Sequence, residues 1–484
     1  MTQTDNWRYI AIMVLPSHAH IHMIAVCGTA MGSLAGMLRE SGYRITGSDY
    51  HVYPPMSTFL ADLGIEVQEG FNAARLDPAP DLVVIGNAVS RGNPEVEAVL
   101  NRKIPYKSLP EVLRDFFIRG KRPIVVTGTH GKTTTTALIA HLLSHAGYDP
   151  SFMIAGLPHN FNRSYHLGSG EHFIVEGDEY DSAFFAKHAK FFYYLPEILV
   201  VNNIEFDHAD IYDDLAAIEK AFRQLINTVP ENGLLLAGHE DETVAGLLPA
   251  SLAPVQTFGL DAQAHWHARD IEITPSGYRF AVYCEAKPWG IFELPLLGIY
   301  NIRNALAAIG AGAHAGLAAT QLQEGLASFA GVHRRQEILG SPGGITLIDD
   351  FAHHPTAVGQ TLESIRQAYP HRRLWALFEP ASATNARATF TARYIEAFAA
   401  ADLVVIAKVP RPERARQDEP FSAQCIIDKL QENNQTAWHI PEVAAIVDHL
   451  LSQVQPGDVV VFMSNGSFGG IQAQVLTALE RTTG

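Results

Sequence analysis

At 484 residues the chain is too long for one hydrophobic core, and a prior of ~150 residues per domain predicts about three. With 47% apolar and 18% charged residues it is not a disordered chain. Thirty-five Lys and Arg against 51 Asp and Glu leave a formal charge of −16, which speaks against a nucleic-acid backbone as main partner but leaves small anionic substrates open.

Residues 1–19 read as an extension without fold. Tyr9 to Leu15 is apolar and follows one arginine, but the run is short for a signal peptide. No apolar stretch approaches the ~20 residues of a membrane span, so no membrane partner is expected. Cys27, Cys284 and Cys425 lie far apart and form no C-x-x-C pair. They read as reduced thiols of a cytoplasmic protein, not as disulfides or a zinc knuckle.

Strand-like runs alternate with helical ones, so the expected fold is α/β with mainly parallel sheets, in three domains. The first spans 20–120. His22–Val26 reads as a strand, followed by Gly28, Gly32 and Gly36 at spacing four and a helix over Ser33–Ser41. Tyr43–Gly47 and Asp81–Ile85 are further strands, ending in Ser48-Asp49 and Gly86-Asn87. This is a Rossmann-like unit without the G-x-G-x-x-G fingerprint. Close helix–strand packing explains its glycines as well as ligand binding does. Asp49 stands at a strand tip, where such folds grip a hydroxyl-bearing group.

The second block, 121–331, opens on the most informative segment, Val125-Val126-Thr127-Gly128-Thr129-His130-Gly131-Lys132-Thr133-Thr134-Thr135-Thr136. An apolar strand stops at small residues and a helix opens with a lysine and threonines. Backbone N–H groups and the positive helix end suit a triphosphate. Lys132 adds charge near the terminal phosphates, and Thr133 offers a hydroxyl to Mg²⁺. The general Walker pattern wants glycine at 126, where this chain has Val126. The strand His172–Val175 leads into an acidic run from Glu176, whose carboxylate suits Mg²⁺. Ile198–Val201 leads into Asn202–His208. Asn301 and Asn304 share one helix face, as a binding pair or as an N-cap and a surface amide.

The third block, 332–484, is again Rossmann-like. Arg334-Arg335 lies near its joint with the second block, placed to reach a phosphate on closure; by itself it reads as a solvated basic pair. Strands are expected at Ile345–Ile348, Leu374–Phe378, Leu403–Ile406 and Val459–Phe462. Polar loops follow at Asp349–His354, Glu379–Ser382 and Ser464–Gly466, beyond the carboxyl ends of strands, where ligands bind in open α/β sheets. Arg411–Pro420 reads as an exposed loop.

Together these segments resemble the Mur ligases, ATP-dependent amide-bond-forming enzymes of peptidoglycan synthesis. Gly-Thr-His-Gly-Lys-Thr-Thr is that family's phosphate loop. Val-Glu-Gly-Asp-Glu-Tyr-Asp, Asn-Ile-Glu-Phe-Asp-His, Asn-Ile-Arg-Asn-Ala, His-Arg-Arg and Asp-Asp-Phe-Ala-His-His-Pro-Thr follow in family order. Residues 47–49, 53–57, 205–212 and 463–471 look most like the branch that couples UDP-N-acetylmuramate to L-alanyl-γ-D-glutamyl-meso-diaminopimelate in cell-wall recycling.

The resemblance implies a role for each position. Gly128, Thr129, His130, Gly131, Lys132, Thr133 and Thr134 would bind ATP, with Asn301, Asn304, Arg335 and Asp350 around the nucleotide. Thr133, Glu176 and His208 would hold two Mg²⁺. Lys132, Glu176, His208 and Arg335 would be catalytic. Gly28, Thr29, Met31, Gly32, Asp49, Asn87 and Ser90 would take the uridine diphosphate end. His353, Glu379, Ser382, Ser464 and Asn465 would meet the peptide. A cytoplasmic monomer or weak homodimer is expected. Tyr300 stands where the family usually has histidine, and Ala381 and Ala383 where this branch often carries Arg and Asn. The alternatives are a UDP-N-acetylmuramate–L-alanine ligase, and a P-loop switch or transport ATPase. A dehydrogenase built on the first block is disfavoured by its missing fingerprint.

Overall fold

The structure is a computed structural model and describes residues 15–54, 56–207, 211–381, 390–409 and 421–483. His208, Ser382, Ala383 and the loop 411–420 lie outside the described residues. The first sheet holds β1 (His20–Ile24), β2 (Arg44–Asp49), β3 (Glu66–Glu69), β4 (Leu82–Ile85) and β5 (Tyr106–Ser108), in order β3-β2-β1-β4-β5 and all parallel. Leu15 and Ala19 are already buried in its core, so packed structure reaches back into the stretch expected to be an unfolded extension. Their apolar side chains join that core, and this burial outweighs chain entropy there.

The central sheet contains β6 (Arg122–Thr127), β7 (Ser151–Met153), β8 (Tyr165–His166) and β9 (His172–Glu176). A separate two-stranded ribbon is formed by β10 (Asp181–Ala183) and β11 (Ala186–Ala189). The central sheet continues with β12 (Ile198–Val201), β13 (Leu234–Gly238), β14 (Val255–Gly259), β15 (Trp266–Thr274), β16 (Gly277–Cys284) and β17 (Lys287–Leu294). The order is β17-β16-β15-β14-β13-β12-β6-β9-β7-β8. Its middle is parallel, and its strands read as continuous apolar runs because helices cover both faces. The antiparallel strands β15 to β17 are an addition the sequence reading did not resolve. Only two residues separate each pair, too few for a parallel crossover, and Glu285 takes φ +53 in the second turn.

The third sheet holds β18 (Glu337–Gly340), β19 (Thr346–Asp350), β20 (Leu374–Phe378), β21 (Leu403–Ile406), β22 (Thr436–His439) and β23 (Val459–Met463). Its order is β18-β19-β23-β20-β21-β22, parallel apart from β18. The chain is therefore α/β with three mainly parallel sheets. Among the described residues no helix is long and apolar enough to cross a membrane. All three cysteines are free.

Candidate active site

The loop after β6 is shaped from below by the end of β12. Asn203 accepts a hydrogen bond from the His130 N–H through Oδ1 at 2.8 Å, and its carbonyl accepts from the Thr129 N–H at 3.0 Å. Asn202 Nδ2 donates to the His130 carbonyl at 3.1 Å. Gly128 and Gly131 take φ +125 and +81, and a side chain on either would run into these asparagines. The loop therefore needs glycine twice for close approach, and the absence of a third at Val126, a fully buried strand residue, does no harm. The helix Lys132–His145 starts at the lysine, so its unpaired N–H groups open toward the loop.

Lys132 Nζ donates to the Gly128 carbonyl at 2.7 Å and pairs with Glu179 at 3.0 Å. Burial pulls its pKa down, but Glu179 and Asp178 outweigh burial and hold it above the usual lysine value, so it is a cation. Thr133 Oγ1 donates to Glu176 Oε2 at 2.9 Å, and the Ala155 N–H to Glu176 Oε1 at 2.7 Å. Burial, then the nearby Asp178 carboxylate, pushes the Glu176 carboxyl up. A buried acid beside other acids is poised to take a cation. Arg335 Nη2 donates to Thr133 Oγ1 at 3.2 Å, so the guanidinium from the joint does reach the phosphate loop. Its plane lies 4.8 Å from the Phe351 ring.

These groups line one cleft of about 1140 Å³ that all three sheets border. Thr29 and Asn87 enter from the first, and Thr129 to Thr134, Glu176, Asn301 and Asn304 from the second. Arg335 from the joint and Asp350, His353 and Asn465 from the third complete the set. Asn304 Nδ2 donates to Asn301 Oδ1 at 2.9 Å, and Asn301 Nδ2 to the Leu297 carbonyl at 2.7 Å, so the amide pair is ordered as a unit. Tyr300 OH accepts from Gln336 Nε2 at 2.7 Å, filling the place of the family's histidine with a link to the joint.

Several of the expected contact residues make their own contacts within the protein or stand apart from this lining. Met31 is buried in the first core, and Gly32 packs under Met56. Asp49 accepts from the Cys27 N–H at 2.8 Å and the His51 N–H at 3.0 Å, which holds the loop of Gly28 in shape. Ser90 is exposed in the loop after β4. Asp350, expected around the nucleotide, lines the cleft and also accepts from the Gln336 and Ala352 N–H groups at 2.8 and 2.7 Å. Glu379 and Ser464, expected at the peptide, are buried against each other: Ser464 Oγ donates to Glu379 Oε2 at 2.5 Å, and the Phe468 N–H to the same oxygen at 3.2 Å. A buried carboxylate must be paired, and here it pins the loop that presents Asn465.

Sequence reasoning missed Glu179, Asn202, Asn203 and Glu205. Their signal was position, since all follow strand ends beside the phosphate loop. Glu205 accepts from Thr356 Oγ1 at 2.8 Å and Arg393 Nη2 at 2.7 Å, tying the third sheet to the second. Burial pushes Glu205 up, but His130, Arg393 and Thr356 outweigh it and hold it well below the usual carboxylate range.

His353 donates through Nδ1 to the Phe351 carbonyl at 3.0 Å, which leaves Nε2 as the ring's acceptor. Burial pushes His141, His353 and His354 down to about 4 from an ordinary value of 6.5. The unfolded chain therefore takes up protons below pH 6.5 that the folded one refuses until about 4. Stability is present above 6.5 and drains away as pH falls through that window. The thermal midpoint should drop between about pH 7.5 and about pH 5, and the drop should shrink in His141→Gln. A flat midpoint across that range would remove these histidines from the stability balance.

Residues 20–120 match the Mur ligase catalytic domain, 126–312 the Mur ligase middle domain, and 334–466 the Mur ligase glutamate ligase domain. The chain is 40% identical over 468 residues to a UDP-N-acetylmuramate–L-alanyl-γ-D-glutamyl-meso-2,6-diaminoheptandioate ligase from Escherichia coli (strain K12), covering 95% of this chain and 98% of that one. It is 34% identical over 461 residues to a UDP-N-acetylmuramate–L-alanine ligase from Acidithiobacillus ferrooxidans, covering 94% and 96%. Among solved structures, a murein peptide ligase from Psychrobacter arcticus 273-4 superposes with a TM-score of 0.73 at 34% identity, covering 96% of this chain and 99% of that one.

Proposed function

The chain belongs to the Mur ligase family, and on that premise we propose that it joins UDP-N-acetylmuramate to the tripeptide L-alanyl-γ-D-glutamyl-meso-diaminopimelate at the expense of ATP, in cell-wall recycling. One observation carries the reading. Lys132, Thr133, Glu176 and Arg335 converge on a cleft that continues to Thr29 and Asn87 of the first sheet. The tripeptide is favoured over free L-alanine because identity is higher to the tripeptide ligase, at 40% against 34%.

In this reading the lactyl carboxylate attacks the γ-phosphoryl group of ATP. A carboxyl–phosphate bond forms and ADP leaves. The peptide amine then attacks the acyl carbonyl, phosphate departs, and the amine gives up a proton. Phosphorylation is needed because an amine would merely neutralise a free carboxylic acid. Lys132, Arg335 and the N–H groups of the loop bring positive charge to the transferring phosphate. Thr133 and Glu176 put hard oxygens 2.9 Å apart, a donor set that fits Mg²⁺, which would supply further charge neutralisation when bound. Glu205, Thr356 and Arg393 tie the third sheet to the central one beside the site, and closure at this joint would keep water from the acyl phosphate. Nε2 of His353, neutral at pH 7, is a candidate acceptor for the amine proton.

We read the chain as a monomer or weak homodimer. A cytoplasmic location fits a consumer of ATP and a UDP-sugar. The test is phosphate release by the purified protein with UDP-N-acetylmuramate, ATP and Mg²⁺. Release with the tripeptide and not with L-alanine is expected. Release with L-alanine alone would move the enzyme to the sister reaction. Hydrolysis of ATP without any sugar nucleotide would favour a P-loop switch.

A further inference from the structure

A second cluster of metal-ligating side chains lies at the joint between the central and third sheets. His159 belongs to the loop after β7, His333 to the connecting segment, and Glu337 to the first residue of β18. His333 Nδ1 lies 2.8 Å from Glu337 Oε1, and His159 Nε2 lies 3.8 Å from the same oxygen. The two imidazole centroids lie 4.0 Å apart with the rings tilted by 43°, and the three ligand atoms all lie within 4.8 Å of one another. Backbone contacts already set this spacing. The His159 N–H donates to the Gly331 carbonyl at 3.1 Å and the His333 N–H to the Leu157 carbonyl at 3.0 Å. The other oxygen of Glu337 accepts from the Arg334 N–H at 2.9 Å, which orients the carboxylate as outer-shell contacts do at metal centres.

We propose that His159, His333 and Glu337 form a transition-metal site, for Zn²⁺ or a similar borderline cation, that clamps the connecting segment to the central sheet. Bonds of ~2.0–2.2 Å in a tetrahedron place ligand atoms roughly 3.3–3.5 Å apart, between the two separations found here. Small side-chain rotations therefore bring all three onto one ion. Two imidazoles and a carboxylate suit Zn²⁺, Co²⁺ or Ni²⁺ rather than Mg²⁺, which wants oxygens. His159 and His333 are partly exposed, at 31% and 39% of their side chains, so water can fill a fourth position and the ion has a path in.

The segment clamped in this way carries Arg334 and Gln336 at φ +58 and +53, a conformation that L side chains rarely adopt. It also carries Arg335, which touches Thr133. A bound ion would thus stiffen the connection that delivers Arg335 to the phosphate loop.

Co²⁺ titration of the whole chain in saturating Mg²⁺ tests this. The expected result is one Co²⁺ per chain with visible d–d bands, displaced by Zn²⁺. Loss of an outer-shell contact already costs metal sites about 10–100-fold in affinity, so His159→Gln and His333→Gln should each weaken binding more than about 100-fold. His130→Gln should keep the bands, since the other His-containing group, His130, Glu205 and His354, lies elsewhere in the cleft. Zn²⁺ should also slow tryptic cleavage after Arg334 and Arg335 in the parent and not in His159→Gln. That variant should melt normally without metal and keep its Mg²⁺-dependent turnover. No bands in the parent, bands that survive both substitutions, or bands lost only in His130→Gln would overturn the site. Equal cleavage with and without Zn²⁺ would overturn the clamp.

Discussion

Lys132→Ala should lower kcat by at least about 10³-fold while leaving UDP-N-acetylmuramate binding within about twofold of the parent. The ammonium is held at the mouth of the phosphate loop by the Gly128 carbonyl and Glu179. A triphosphate offers it a denser charge than one carboxylate, so the amine can turn from Glu179 to the phosphates as ATP enters. In the proposed reaction alanine would remove the cation that faces the charge developing during transfer, and among the described residues no other lysine lines the cleft. Sugar-nucleotide binding at the first sheet, as proposed, would not involve this group, because Thr29 and Asn87 sit on elements other than the helix of Lys132. The substitution also strips Glu179 of its ammonium partner. Breaking a buried pair costs about 3–5 kcal/mol, so melting curves must accompany the kinetics. Calorimetric titration with the sugar nucleotide decides the outcome. Loss of its binding in a variant that still melts cooperatively would mean the first sheet is not the sugar-nucleotide site.

Glu176→Gln is the second large effect. The glutamate accepts from Thr133 and from the Ala155 N–H, one bond to each oxygen. An amide of the same shape turns one of those acceptors into a donor and deletes the negative charge. Turnover should fall by about 10²–10³-fold, and the Mg²⁺ concentration for half-activity should rise by about ten- to a hundredfold. Nucleotide binding without Mg²⁺ should change little. The measurement is a Mg²⁺ titration of phosphate release at saturating ATP. An unchanged half-activity concentration would take the metal away from position 176.

The phosphate loop was readable because its chemistry is local. Strand, glycines, lysine and helix start lie within the twelve residues from Val125 to Thr136, and the structure keeps them contiguous. Strand existence was readable for a related reason: a parallel strand covered on both faces must be apolar throughout, as Ile198–Val201 and Val459–Met463 are. Glu379 and Ser464 could not be sorted this way. Both follow strands and both are polar, yet they meet each other across 85 positions and leave the cleft to Asn465. The bridge that Glu205 makes was not readable either, because its partners Thr356 and Arg393 lie 151 and 188 residues further on.

The sequence by itself determined the family, the α/β class and which residue types could face a triphosphate, because those rest on short-range spacing and on apolar patterning. Tertiary structure alone decided which carboxylates face the cleft and which are consumed holding loops, and whether Arg335 reaches Thr133. The reason is physical. A polar side chain goes wherever its desolvation is best compensated, and the groups that compensate it are supplied by chain segments a hundred or more residues away.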